Sequence, residues 1–162
     1  MSVNPDASRL MLRHTLATLA YRGGKVVRDV PATFATFSTG EVGRQPGQIL
    51  AHVGDLLRWA LVIAQGHPHW HDSPAIPWDQ QLARFFDELA RLDAYLASEE
   101  PLAVSPEKIF QGPIADALTH VGQLAMLRRM AGVPMRGENY FVAEIVAGRV
   151  GPEQAPPKRE FD

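Results

Sequence analysis

The chain of 162 residues is long enough to bury one hydrophobic core, and its hydrophobic fraction of 46% and charged fraction of 21% are ordinary for a globular protein. A formal net charge of −2 argues against a nucleic-acid partner, which would need a basic surface. Because the sequence contains no cysteine, disulfides, thiol nucleophiles and zinc–thiolate sites are excluded. Any metal ion must therefore be held by His, Asp or Glu.

The sequence shows no sign of a membrane or secretory segment. No run reaches the roughly 18 apolar residues of a spanning helix. The N-terminal segment MSVNPDASRLMLRHTL carries Asp6 and two arginines and lacks an apolar core before a cleavage site. We therefore expect a cytoplasmic protein.

The first predicted helix covers residues 6–30. Its expected inward stripe is Leu10, His14, Ala17 and Tyr21. The Gly23-Gly24 pair within it costs about 1 kcal/mol per glycine relative to alanine, which predicts a kink or an early end. Residues 31–45 have no helical period and are predicted to form a loop.

The second predicted helix begins at Pro46, a residue suited to a first helical turn, and ends at Gly66. Its apolar stripe is Ile49, Val53, Leu56, Ala60 and Ile63. A connector rich in proline and histidine follows. The third helix, residues 78–98, has a clear amphipathic stripe formed by Leu82, Phe85, Phe86, Leu89, Leu92 and Leu96.

The fourth long helix is predicted over residues 112–131, and a short helix over 139–147. Residues 151–162 form a polar, proline-rich tail that is expected to be disordered or draped over the surface. Four long amphipathic helices predict an all-α four-helix bundle over residues 1–150.

Three polar residues occur where the helical pattern predicts an interior. Asp116 and His120 lie one turn apart, on the face that continues as Leu124 and Leu127. His52 lies beside the apolar stripe of the second helix. A buried carboxylate needs compensation, and a metal ion bound by Asp116, His120 and His52 would supply it.

The same residues also fit a simpler interpretation. An Asp–His pair at this spacing can be a local hydrogen bond, and a histidine beside an apolar stripe is often a satisfied core residue. Spacing alone leaves both interpretations open.

Two segments surround these residues, ILAHVGDLLRWA at His52 and DALTHVGQLAMLRRMAG at His120. They resemble the DinB/YfiT-like superfamily of metalloenzymes, whose members carry a His early in the second helix and an H-x-x-x-H-R-G-Q run in the fourth. His120 and Gly122-Gln123 match that run, whereas Asp116 replaces its first His and Val121 its basic residue. Some relatives, such as thiol-dependent maleylpyruvate isomerases, also use a carboxylate there.

The resemblance covers roughly residues 5–150, including GVPMRGENYFVAEI. It implies an up-down-down-up four-helix bundle, often dimeric, with one divalent metal ion bound by His52, Asp116 and His120. A homodimer is also favoured by apolar residues on more than one face of the second helix, namely Leu57, Val62 and Ile63.

The HPHWH segment alternates three further histidines, His67, His69 and His71. Fifteen helical residues, about 22 Å, would separate His52 from His67, so this cluster is predicted not to share the ion. A solvated loop is favoured over a second metal site.

For four other residues the sequence gives weaker indications of a role near the site. His14 is predicted to lie in the core, with a place near the metal as the alternative. Gln123, Tyr21 and Trp59 could line a pocket, but structural roles are favoured for all three.

Two histidines and one carboxylate suit Zn, Ni, Mn or Fe, with open coordination positions. Such an ion can activate water or polarise a carbonyl or a small-molecule thiolate. The sequence has no G-x-S-x-G elbow, P-loop or dinucleotide fingerprint, and no catalytic residue is assigned.

Three functions remain. The first is a metal-dependent hydrolase, or a thiol-dependent transferase or isomerase, acting on a small molecule. The second is a non-catalytic metal-containing bundle that binds a small ligand or acts in stress. The third is a metal-free interaction module, which elemental analysis would distinguish from the other two.

Overall fold

The computed structural model describes residues 5–162, so the first residues of the N-terminal segment considered above lie outside it. The described chain is mostly helical, in agreement with the all-α prediction. The helices are α1 (Pro5–Val27), α2 (Pro46–Ala64), α3 (Trp78–Ala97), the short α4 (Pro106–Ile109) and α5 (Ala115–Met130).

Helices α1 and α2 each pack against both α3 and α5. Leucines from all four elements fill the space between them, and the most completely buried are Leu16, Leu19, Leu50, Leu57, Leu89, Leu92, Leu96 and Leu124. The predicted stripes of α2 and α3 supply much of this core. The pairing of α2 with α5 matters most for function, because these two helices carry the candidate ligands.

The inward face of α1 differs from the predicted stripe. Leu10 is 57% exposed and His14 is also exposed, so the prediction that these two residues face the interior is wrong. The buried face contains Leu12, Leu16 and Leu19, whose spacing forms a helical stripe rotated from the predicted one. His14 is therefore not a core residue.

Helix α1 continues through the glycine pair to Val27. A Cβ added at Gly23 would lie 2.7 Å from Cζ of Phe85, so this glycine allows α1 to approach α3 closely. The pair serves helix packing rather than a helix end.

Two predictions for the second half of the chain need correction. The fourth helical region starts at Pro106, not at residue 112, because α4 continues through a π-helical segment, Phe110–Ile114, into α5. The predicted helix over 139–147 is only a 3₁₀ turn, Tyr140–Val142. Phe141 is 95% exposed there, so this aromatic side chain contributes no burial that would extend the turn into a helix.

The C-terminal tail lies against the helical core. Strand β2 (Glu160–Phe161) pairs antiparallel with strand β1 (Gly137–Glu138). Lys25 of α1 forms ion pairs with both Glu138 and Glu160, each at 2.7 Å. One buried lysine thus connects the tail, β1 and the first helix.

Helix α2 is long and apolar enough, by length and composition, to cross a membrane, but 67% of that window is buried inside the protein. Such burial is typical of the core helix of a soluble protein.

Candidate metal centre

The packing of α2 against α5 brings the three predicted ligands together. Nε2 of His52 lies 3.7 Å from Oδ2 of Asp116, and Nδ1 of His120 lies 3.2 Å from Oδ1 of the same carboxylate. The two imidazole rings have centroids 4.7 Å apart. Among the residues that the structure describes, these form the one group of three or more potential ligands that could hold a metal ion.

A π-helical segment precedes the ligands of α5. It contains Pro113 and ends at Ile114, two residues before Asp116. Proline lacks the N–H that an α-helix needs and clashes with the preceding turn, and a wider π turn accommodates it. The irregularity therefore coincides with Gly112-Pro113 and lies immediately before the turn of α5 that carries Asp116 and His120.

The backbone favours one tautomer of His120. Its Nδ1 lies 2.8 Å from the carbonyl oxygen of Asp116. A carbonyl oxygen can only accept a hydrogen bond, so in the neutral imidazole this contact favours the tautomer with the proton on Nδ1 and a free lone pair on Nε2. An imidazole oriented in this way is a common arrangement for a metal ligand.

His52 is partly buried, with 20% of its side chain exposed. Burial, the positive charge of Arg44 and the proximity of His120 lower the pKa of His52, and Asp116 opposes them. The lowered pKa favours the neutral imidazole, which is the form that binds a metal ion.

The carboxylate of Asp116 is more accessible than predicted. Its side chain is 46% exposed, so the expectation of a buried carboxylate in an apolar interior is wrong. Asp116 lies in the first turn of α5, close to the edge of the helix packing rather than at its centre. Water can solvate this charge, so the geometry of the donor atoms, and not burial of the carboxylate, favours a metal ion here.

The donor geometry fits a divalent ion. One potential ligand atom from each residue lies within 4.8 Å of the others. Nitrogen and oxygen ligands lie about 2.0–2.2 Å from a zinc ion, so tetrahedral donors are separated by about 3.3–3.5 Å. Small side-chain rotations would bring these donors to that separation. The residues present therefore fit a site with two nitrogen ligands, one oxygen ligand and open positions.

The connector after α2 folds back towards His52. The indole ring of Trp70 packs on the His52 imidazole, with centroids 5.6 Å apart, and on Trp59 at 5.8 Å. The estimate of about 22 Å applied to His67 and the histidine cluster, and Trp70 of the same segment nevertheless contacts His52. His67, His69 and His71 are exposed and do not belong to the metal-binding group of the described residues.

A buried carboxylate fixes this connector. Asp55 of α2 accepts hydrogen bonds from the backbone N–H of Ser73 at 3.1 Å and from its hydroxyl at 2.6 Å. Arg84 of α3 forms an ion pair with the same carboxylate. Because Asp55 is occupied in this way, it is not available as a fourth metal ligand, and its role is to hold the connector near His52.

Two cavities flank the three ligands. His120 lines one of about 760 Å³, together with Gln123, and His52 lines another of about 390 Å³. Arg44 lines both, and no sequence pattern indicated it because it lies in a segment without a helical period. Of the other residues considered, Trp59 packs on Trp70, and Tyr21 donates a hydrogen bond to Glu138.

Comparisons of the chain with models of protein families, with curated proteins and with solved structures found no match.

Proposed function

We propose that the protein is a divalent-metal-binding four-helix bundle of the DinB type, with an up-down-down-up arrangement and with His52, Asp116 and His120 as ligands. The convergence of three donor atoms within 4.8 Å from two packed helices is the observation that carries this proposal. The sequence motifs around His52 and His120 support it independently. Zn, Ni, Mn and Fe all suit this ligand set.

The activity that fits best is that of a hydrolase, or of a thiol-dependent transferase or isomerase, acting on a small molecule. A divalent ion with open positions supplies Lewis-acid polarisation of a carbonyl, or stabilisation of a thiolate. His52, Asp116 and His120 would hold the ion, and the carboxylate of Asp116 would reduce its net charge to about +1. Trp70 packs against one side of His52.

A non-catalytic metal-containing bundle that binds a small ligand or acts in stress is the second candidate. The observation in its favour is the wall of the larger cavity. Among the described residues that line it, none is a carboxylate, so this cavity offers no general base other than its metal ligand. Turnover of candidate esters, amides and thiol conjugates by the metal-loaded protein would distinguish the two.

We also propose a cytoplasmic homodimer. Leu57, one of the apolar residues that favoured a dimer in the sequence, is fully buried inside the protein and cannot contact a second copy. Met11 and Phe110 are instead exposed by 66% and 45% and line a common surface depression. Light scattering at micromolar concentration should give twice the chain mass, and a monomer mass would refute the dimer.

Metal analysis of purified variants tests the site. Replacing His52, Asp116 or His120 with alanine should reduce the metal content well below one ion per chain, since loss of even an outer partner of a ligand costs about 10- to 100-fold in affinity. His14→Ala and a triple alanine variant of His67, His69 and His71 are the controls, and both should keep the ion.

Asp116→His tests the ligand role of Asp116 more closely. It replaces the oxygen donor by a nitrogen donor and creates the pattern of the resembling family, so it should retain the ion. Full metal content in both His52→Ala and His120→Ala, with loss in the triple variant, would instead place the site in the HPHWH segment.

A further inference from the structure

Arg44 lies where the two cavities beside the candidate metal centre come together. It lines the cavity of about 760 Å³ that contains His120 and the cavity of about 390 Å³ that contains His52. A permanent cation therefore lies beside the ligand pair.

The charge of Arg44 has no ion-pair partner among the side chains that the structure describes. Arg44 is exposed, and in this it differs from arginines held by a carboxylate, such as Arg13 with Asp93 and Arg149 with Glu144. Arginine stays protonated and offers a planar fork of donors that matches a carboxylate. The donors of Arg44 are thus available to a ligand in either cavity.

Apolar side chains form much of the wall of the larger cavity. Ile49, Met126 and Leu127 line it together with Arg44 and His120. Met126 is 55% exposed, so an apolar ligand would remove a substantial methionine surface from water. A pocket with an apolar wall and a few polar groups is typical of small-molecule sites.

We propose that Arg44 recognises the carboxylate of a small substrate whose apolar body packs on Ile49, Met126 and Leu127 and whose reacting end reaches His120. This inference rests on the proposed function for the role of the metal ion, but the carboxylate contact depends only on the protein. A monocarboxylate fits better than a phosphate dianion, because Arg44 is the one arginine or lysine in the described walls of either cavity.

The test uses two probes with the same carbon skeleton, sodium 4-methylpentanoate and the neutral 4-methylpentanamide. Each is titrated into zinc-loaded protein labelled with ¹³C at the methionine methyl groups, and the Met126 signal reports binding. Wild-type protein should bind the carboxylate at least about tenfold more tightly than the amide, about 1.4 kcal/mol. Zinc content is measured on every sample.

Arg44→Gln should reduce this preference to less than about twofold while leaving zinc content and amide affinity unchanged. Arg129→Gln is the matched control, since Arg129 is an exposed arginine outside the walls of both cavities, and it should keep the full preference. Chelator-treated wild-type protein should also keep a carboxylate preference, because the cation belongs to the chain.

Equal affinity for the two probes, binding of neither, or an undiminished preference in Arg44→Gln would overturn the assignment. A wild-type protein that binds no zinc but still prefers the carboxylate would refute the proposed metal function and support the role of Arg44. The two proposals can therefore fail separately.

Discussion

Trp70 packs its indole ring against the imidazole of His52, with ring centroids 5.6 Å apart. The two residues belong to different elements, since His52 lies in α2 and Trp70 in the connector that follows it. The indole N–H donates a hydrogen bond to Asp72 at 2.9 Å, and the ring also contacts Trp59. This contact places a fluorophore directly beside a predicted metal ligand.

Binding of an open-shell ion should quench the fluorescence of Trp70. Ni²⁺ or Co²⁺ held by His52 would lie close enough to the indole for efficient energy and electron transfer. We expect a saturable quench on titration of metal-free wild-type protein, and most of it should be lost in Trp70→Phe. The measurement is tryptophan emission during the titration.

Trp78→Phe is the control for this experiment, because Trp78 packs on Phe34 instead of on His52. It should retain most of the quench. An equal quench in Trp70→Phe and in wild type would show that the ion binds away from His52.

The stability of the metal-free protein should depend on pH through His52. Burial, Arg44 and His120 lower the pKa of His52 below its ordinary 6.5. Between the lowered value and 6.5 the unfolded chain binds more protons than the folded one, so the free energy of unfolding rises with pH. This stabilisation is present above pH 6.5 and is lost as the pH falls through the folded-state pKa.

Urea denaturation of chelator-treated protein at pH values from about 5 to 7.5 would measure this effect. His52→Gln removes the titrating group. The free energy of unfolding of the wild type, relative to that of this variant, should therefore decrease as the pH is lowered. A difference in the free energy of unfolding that stays constant over these pH values would contradict the assignment to His52.

Local patterns in the sequence predicted the helices well where one apolar stripe dominates. Helix α3 places Phe85, Leu89 and Leu92 in the core as expected. Helix α1 was harder, because it has leucines at both 10 and 12, and the two competing stripes differ by about half a turn. The choice between them depends on which face meets α3 and α5, which is tertiary information.

The three residues of the candidate site could be predicted from their spacing and from the motifs, but the residues that surround them could not. The i,i+4 relation of Asp116 and His120 is a property of any α-helix. The approach of Trp70 depends on the contacts of Asp55 with Ser73 and Arg84, which join three elements. Similarly, no local pattern indicates that Arg44 lines both cavities.

Gly23→Ala should destabilise the protein although alanine is the better helix former. The new Cβ would lie 2.7 Å from the Phe85 ring, so α1 and α3 would have to separate or Phe85 would have to shift. Overpacking of this kind costs about 1–3 kcal/mol. Chemical denaturation gives the difference in the free energy of unfolding.

Gly122→Ala is the matched control within α5. No atom lies within 4 Å of a Cβ added at this exposed position. The substitution should therefore increase stability by about 0.5–1 kcal/mol through helix propensity. If both substitutions stabilised the protein to the same extent, the close packing of α1 on α3 would be incorrect.

Glu138→Gln should be strongly destabilising, because Glu138 forms a buried ion pair that joins β1 to α1. Its side chain is fully buried, accepts hydrogen bonds from Tyr21 at 2.5 Å and Lys25 at 2.7 Å, and shares Lys25 with Glu160. Removing one partner of a buried ion pair typically costs about 3–5 kcal/mol. Because Lys25 keeps its contact with Glu160 in this variant, we expect a loss at the lower end of this range, about 3 kcal/mol. Urea denaturation measures this loss in the free energy of unfolding.

Glu144→Gln provides the comparison, since Glu144 pairs with Arg149 and Lys158 at the surface. Exposed pairs of this kind contribute at most about 1 kcal/mol. The double variant Lys25→Met/Glu138→Gln removes both charges of the buried pair, so its loss should be smaller than the sum of the two single losses. Additive losses would mean that Lys25 and Glu138 stabilise the fold independently, and this ion pair would then not be what joins β1 to α1.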